Sequence, residues 1–154
     1  MKLVLDTNVV MELLHYRDPR STALMQAITD RNLACFTNRH CLAELLRVLA
    51  YPQFALDEVA QHRLYEQYRA LATEADESDD TPIDIPLPRC RDADDQKFME
   101  LAARSQADLL ITRDKELLRL ARSRARPAPF AILTPERAIL LLDTANATAP
   151  EQTT

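Results

Sequence analysis

Met1-Lys2-Leu3-Val4-Leu5-Asp6-Thr7-Asn8 opens the chain and decides how the remainder is read. Leu3, Val4 and Leu5 are a short apolar run, the pattern of a buried strand. The run ends abruptly in an acid, a hydroxyl and an amide. Val9-Val10-Met11-Glu12-Leu13-Leu14 follows and reads as a helix. Asp6 thus stands where a strand hands over to a helix. In an open α/β sheet, ligands bind outside the carboxyl ends of the strands. Asp, Thr and Asn are also good helix N-caps, so capping and ligand binding both stay open for Asp6 at this point.

Working outward, the same alternation repeats. Asp18-Pro19-Arg20-Ser21 is a turn, and Thr22 to Arg31 carries Ala23, Leu24, Ala27 and Ile28 at the spacing of one helical face. Leu33 to Phe36 is a second strand. Thr37-Asn38 offers a cap for a helix from Arg39 to Ala50, with Leu42, Leu45, Leu46 and Leu49 as its core stripe, ended by Tyr51-Pro52. Asp57 caps a further helix to about Glu74. Glu74 to Asp80 is densely acidic and reads as a solvated loop, and Ile83 to Leu87 alternates as a short third strand at a sheet edge. Asp92 to Gln106 opens and forms a helix with Phe98, Leu101 and Ala102 facing inward. Asp108 to Thr112 is the fourth strand, Lys115 to Arg124 a helix, and Phe130 to Leu133 the fifth strand. Thr134-Pro135-Glu136 starts a last helix with a cap and a proline at its first position. It ends near Asp143, and 144–154 reads as a disordered tail. Strands alternating with helices predict a parallel sheet with helices on both faces, in one domain over 1–143.

Composition removes several alternatives. With 154 residues, 47% of them apolar, the chain is long enough for one sizeable core. No apolar run approaches the ~20 residues of a membrane span, and no signal-peptide pattern precedes the first strand, so a soluble cytoplasmic protein is expected. Cys35, Cys41 and Cys90 are odd in number and lack C-x-x-C spacing, which disfavours disulfides and zinc; buried small hydrophobes are the expected role. The chain holds no glycine. Both a P-loop and a G-x-G-x-x-G turn need glycine for the backbone to approach phosphate, so any phosphate chemistry here falls to side chains or metal ions. Left-handed turn positions must fall to Asn or Asp, and Asn32 is a candidate. The net charge of -5 does not advertise a nucleic-acid binder, unless acids gather in a site that holds cations while bases line its rim.

Two strands end alike: Leu3-Val4-Leu5 runs into Asp6-Thr7-Asn8, and Leu109-Leu110-Ile111 into Thr112-Arg113-Asp114. In a parallel sheet both acids emerge at the same edge. Asp92, Asp94 and Asp95 crowd the start of a helix, where acids also suit the helix dipole. Asp95 shares a face with Phe98 and Ala102, three and seven residues on, which turns it toward the core side. Glu44 lies off its helix's leucine stripe, and periodicity alone makes it a solvated residue.

Four stretches, taken in order, resemble the PIN-domain nucleases, and among them the VapC-like toxin components of toxin–antitoxin systems. They are Leu5-Asp6-Thr7-Asn8-Val9, Glu44-Leu45, Arg91 to Ala102 and Thr112 to Leu118. The resemblance spans Lys2 to about Leu142. It implies a Rossmann-like three-layer α/β/α sandwich around a parallel sheet of about five strands, whose acids hold Mg2+ or Mn2+ and cut RNA. It places Asp6, Glu44, Asp95 and Asp114 at the four acidic positions, with Asp6, Asp95 and Asp114 as metal ligands and Asn8 and Thr112 in support. Asp92 or Asp94 could stand in for Asp95. A cognate antitoxin and a homodimer are implied in the same way. The branch usually carries Pro at Ala93 and Gly at Arg113, and Arg113 makes this loop stiffer and more cationic.

The chemistry suits the residues. Mg2+ is a hard ion that takes oxygen ligands and keeps several waters. Carboxylates crowded together without it repel one another and raise each other's pKa values. A bound ion offsets that repulsion and lowers the pKa of a coordinated water for in-line attack at phosphorus. For the RNA path, Arg39, Arg47, Lys97, Arg113 and Lys115 lie beside the acidic motifs, and Arg119, Arg122, Arg124 and Arg126 follow on one helix and its exit. Aromatic residues are too few for extensive base stacking. Three other readings compete: a non-catalytic RNA- or protein-binding module, a DNA-directed nuclease of the same fold, and a haloacid-type phosphatase. The last needs a second Asp two residues after the first, where this chain has Asn8.

Overall fold

The computed structural model describes residues 1–76 and 83–147. Five strands form one sheet, all parallel: β1 (Lys2–Leu5), β2 (Ala34–Thr37), β3 (Ala72–Glu74), β4 (Leu109–Ile111) and β5 (Ala131–Leu133). Their order is β3-β2-β1-β4-β5. The chain therefore winds outward from β1 in one direction and then returns to lay β4 on its other side. The crevice between the carboxyl ends of β1 and β4 is the topological switch point, where such sheets bind ligands.

Side-chain alternation divides the core in two. Leu3, Leu5, Leu109 and Ile111 pack on one face against α1 (Thr7–Met11), α2 (Pro19–Asp30), α3 (Arg39–Leu49), α4 (Glu58–Leu71) and α7 (Pro135–Ala147). Val4, Leu110 and Ile132 pack on the other against α5 (Gln96–Arg104) and α6 (Lys115–Leu120), through Phe98, Met99, Leu101, Ala102 and Leu117. This is the expected three-layer α/β/α sandwich.

Several expectations change in detail. The third strand is Ala72–Glu74, directly after α4, and not Ile83 to Leu87. Its register, Cys35 with Ala72 through Thr37 with Glu74, is extended by Ala75 donating its N–H to the Thr37 carbonyl at 2.8 Å. The 83–87 stretch is irregular; Pro86 within it and Pro88 just after it have no N–H to give a ladder. Helix α4 accordingly stops at Leu71, short of Glu74. Of the acidic stretch Glu74 to Asp80, residues 77–80 lie outside the described residues, as do 148–154 of the expected tail. Helix α7 runs on to Ala147, beyond the expected end near Asp143. Helix α6 ends at Leu120 rather than Arg124. The first helix is in two parts: after α1, residues Glu12–Tyr16 widen into a π-helical turn that closes at Arg17. Leu46, placed in the α3 stripe from the sequence, is 46% exposed, while Cys41 takes a buried position on that helix.

A chain without glycine must still turn. Among the described residues, four adopt positive φ: Arg17 (48°), Asn32 (50°), Ala55 (49°) and Gln106 (52°). Asn32 was expected. The other three hold the left-handed conformation against their Cβ, at a cost of about 1–2 kcal/mol each.

Candidate active site

Alternation places the first two site residues. Asp6 continues β1 on the face of Val4, and Thr112 continues β4 on the face of Leu110. Leu5 pairs with Ile111, so Asp6 and Thr112 are the next neighbours in the ladder, and Asp6 donates its N–H to the Ile111 carbonyl at 3.0 Å. The Thr112 hydroxyl donates to Asp6 Oδ2 at 2.7 Å, and the Asp114 backbone N–H donates to that same hydroxyl at 3.0 Å. One oxygen thus ties the two acid-bearing strand ends together. Asp6 is only 5% exposed. Burial is the main cause that pushes its carboxyl upward; the Thr112 hydroxyl opposes this, and Glu44 and Asp114 add to it.

The capping alternative separates the acids. Asp6 occupies the N-cap position of α1 but makes no side-chain cap bond. Asp95 occupies the N-cap position of α5, after a 3-10 turn over Ala93–Asp95, and makes none either. Asp92 does cap, accepting from the Asp94 N–H at 3.0 Å. Asp114 caps α6, its Oδ1 accepting from the N–H groups of Glu116 at 2.7 Å and Leu117 at 3.4 Å. The two acids that forgo a cap thus begin helices on either side of the sheet.

Among the three acids before α5, burial distinguishes Asp95: it is half-buried where Asp92 and Asp94 are exposed. Its carboxyl is pushed up to about 7, first by desolvation and then by the charges of Asp114, Asp6, Asp92 and Glu44. All four of those charges are carboxylates, so Asp95 lies within electrostatic range of Asp6, Glu44 and Asp114.

Glu44 is not the solvated residue that periodicity suggests. It sits one turn beyond buried Cys41 on α3, and its side chain is 15% exposed. Thr7 donates its hydroxyl to Glu44 Oε2, and Lys97 reaches Glu44 Oε1 at 3.1 Å from the first turn of α5. Arg47 stands 3.9 Å from the same oxygen. Thr7, missed in the sequence, is thus a buried brace for this acid. Asn8 is exposed on the first turn of α1.

The expected cationic path divides. Arg39, Arg47 and Lys115 are exposed, Arg47 standing 3.9 Å from Glu44. Lys97 is turned inward onto Glu44. Arg113 is turned away and bound to Glu12 and Glu136. Arg122, Arg124 and Arg126 lie on the segment that returns from α6 to the start of β5; the β4–β5 register puts that start beside Leu109, at the edge opposite the acids. Cys35 and Cys41 are buried with thiols pushed up to about 12 by desolvation, as expected of packing residues.

The oxygen donors suit a hard divalent cation. Among the described residues, however, no three of the acids stand together as ligands of one ion. Mg2+ does not need such an array: it is usually held by one or two carboxylates, with water completing the shell. No helix of the described residues is long and apolar enough to cross a membrane.

A five-stranded parallel sheet between two helical layers, with Asp6 and the Thr112–Asp114 loop at its switch point, defines a Rossmann-like α/β/α protein. The chain belongs to the PIN-domain family: a family model described as PIN domain matches residues 2–116. That stretch holds β1 to β4 and all four acids. The family is one of nucleases and generally uses divalent metals. No curated protein is matched by the chain.

Proposed function

We propose that this PIN-domain protein is a Mg2+- or Mn2+-dependent endoribonuclease, the toxin of a toxin–antitoxin pair. The observation that carries the reading is the electrostatics of the pocket: Asp6 and Asp95, both placed to cap a helix and neither doing so, have carboxyls raised by burial and by their acidic neighbours. Such a grouping is unfavourable unless a cation occupies it. A bound divalent ion supplies an activated water and neutralises charge on the phosphate. Asp6 and Asp95 would hold it. Asp114, whose Oδ1 holds the start of α6, would reach the ion through water. Glu44, fixed by Thr7 and Lys97, would orient a water for attack at phosphorus. Thr112 holds Asp6 in place, and Asn8 borders the pocket. Asp92 stabilises the turn that presents Asp95, and Asp94 is the exposed neighbour of that turn.

RNA is the proposed substrate, with Arg39, Arg47 and Lys115 contacting its backbone. The cytoplasm, a cognate antitoxin and a homodimer belong to the same proposal through the resemblance to VapC-like toxins. The experiment is RNA cleavage by the purified protein with Mg2+ or Mn2+. Cleavage is expected to require the ion, and to be abolished by EDTA and by Asp6→Asn while the melting temperature is kept. Activity that survives both treatments sinks the assignment, and a preference for DNA moves it to a DNA-directed nuclease.

One observation favours a second reading, a non-catalytic module that binds RNA or protein through this cleft. Glu44 already has an internal cation in Lys97, and no three acids are arrayed as ligands among the described residues. Absence of divalent-ion binding in a calorimetric titration would select it.

A further inference from the structure

Arg113 follows Thr112 and precedes Asp114 on the short loop between β4 and α6. Its guanidinium makes three bonds to carboxylates. Nε donates to Glu12, while the two terminal nitrogens donate to Glu136 Oε2 at 3.0 Å and Oε1 at 2.7 Å. The contact with Glu136 is a two-pronged fork, the geometry that arginine provides and lysine does not. Glu12 is itself held, its Oε2 accepting from the Ser21 hydroxyl at 2.6 Å, and Ser21 is fully buried. Side-chain exposure is 12% for Glu12 and 25% for Arg113, so the pair is largely withdrawn from solvent.

The bonds matter for where they lead. Glu12 opens the π-helical turn that continues α1, and α1 starts directly after Asp6. Thr112 is bonded to Asp6, and Arg113 to Glu12. Beyond the ladder and the bond from the Asp6 N–H to the Ile111 carbonyl, the two segments are thus joined by side chains at two points, from neighbouring residues of the β4–α6 loop. The Thr112 bond holds Asp6 itself, and the Arg113 bonds tie the loop that carries Asp114 to the helical segment that follows Asp6. Glu136, in the first turn of α7, anchors the guanidinium to a third element. Arg113 is not among the residues with positive φ, so the loop needs no glycine there and the side chain is available for bracing.

We infer that Arg113 is a positioning residue, which braces the Asp114 loop against the segment begun by Asp6 and so sets the spacing of these two carboxylates for a divalent cation. This rests on the proposed metal-dependent reading. Residues that orient metal ligands from behind cost about 10- to 100-fold in metal affinity when removed. The test is calorimetric Mn2+ titration of wild type, Arg113→Lys, Arg113→Gln and Glu12→Gln, with melting temperatures recorded alongside. Arg113→Gln is expected to weaken Mn2+ binding about 10-fold or more. Arg113→Lys, which keeps the charge and guards against simple misfolding, restores only a small part of it. Combining Glu12→Gln with Arg113→Gln adds little further loss, because the two act through one contact. Wild-type Mn2+ affinity in both arginine variants, with only the melting temperature lowered, overturns the inference in favour of a purely structural brace. Unchanged Mn2+ affinity with a raised KM for RNA overturns it in favour of substrate contact. If wild type itself binds no Mn2+, both this inference and the function it rests on fall.

Discussion

Thr112 donates its hydroxyl to the Asp6 carboxylate at 2.7 Å across the seam between β1 and β4, and both residues are buried. Thr112→Val keeps the shape and removes the donor. The Asp6 oxygen left behind has no solvent to turn to, which costs about 1–3 kcal/mol of stability. The Asp6 carboxyl should rise further, because Thr112 is the largest influence that lowers it. Urea unfolding and a Mn2+ titration check both effects; Thr112→Ser should largely restore the wild-type behaviour.

Lys97 offers a prediction that separates an internal ion pair from a nucleic-acid contact. Its nitrogen lies 3.1 Å from Glu44, and the two side chains are 21% and 15% exposed. Lys97→Met strands a carboxylate that is mostly out of water, and hydrogen bonds to charged groups are worth about 1.5–3 kcal/mol. The single variant should lose stability on that order in denaturant unfolding, and Lys97→Met combined with Glu44→Gln should recover part of it. In RNA cleavage the variant should lower kcat. An effect on KM alone would return Lys97 to the RNA path.

Metal-free protein should become less stable as the pH rises toward neutrality. Asp95 is held at about 7 in the folded protein against an ordinary 3.8. Below about pH 4 the group is protonated in folded and unfolded chains alike. Between there and about 7 the unfolded chain releases its proton while the folded chain keeps it, so unfolding gains. Raised Asp6 acts in the same direction. Thermal unfolding in EDTA should show a higher midpoint at about pH 5 than at about pH 8, where the remaining carboxylates permit comparison. Asp95→Asn should flatten the dependence and raise the neutral-pH midpoint. A midpoint that climbs with pH through this window, in wild type and Asp95→Asn equally, would contradict the pocket's electrostatics.

The glycine-free turns supply a test independent of function. Ala55 and Gln106 hold φ of 49° and 52°. Glycine there relieves a strain of about 1–2 kcal/mol, offset in part by the freedom it adds to the unfolded chain. Ala55→Gly and Gln106→Gly should each raise stability by about 0.5–1 kcal/mol in urea unfolding. Asn32→Gly should change it less, since Asn tolerates this conformation.

Much of the architecture could be read from the chain because its strong signals are local. Apolar runs ending in Asp6 and in Thr112-Arg113-Asp114 gave two strand ends at one edge, and the alternation of elements gave a parallel sheet. What escaped was decided by contacts distant in sequence. Glu44 looked solvated because Leu46 was counted in the α3 stripe and Cys41 was not; exchanging them turns Glu44 toward the pocket. Strand β3 has only three residues and follows a helix with no turn residues between, so its pairing with β2 had no local mark. Arg113 and Lys97 were read as cations facing outward, since nothing in the sequence reveals Glu12, Glu136 or Glu44 as their partners. Spacing from Phe98 and Ala102 turned Asp95 to the core side, but Asp92 and Asp94 stayed open as stand-ins because the contacts that bury Asp95 leave no local mark.

The most direct measurement of the central claim is a Mn2+ titration followed by electron paramagnetic resonance, on wild type, Asp6→Asn and Asp95→Asn. Free Mn2+ gives a strong signal that binding removes. Wild type should show saturable binding, and each variant should lose it while remaining folded, with a melting temperature at or above that of wild type. Saturable binding that persists unchanged in both variants, or none in wild type, would contradict a pocket in which Asp6 and Asp95 hold the ion.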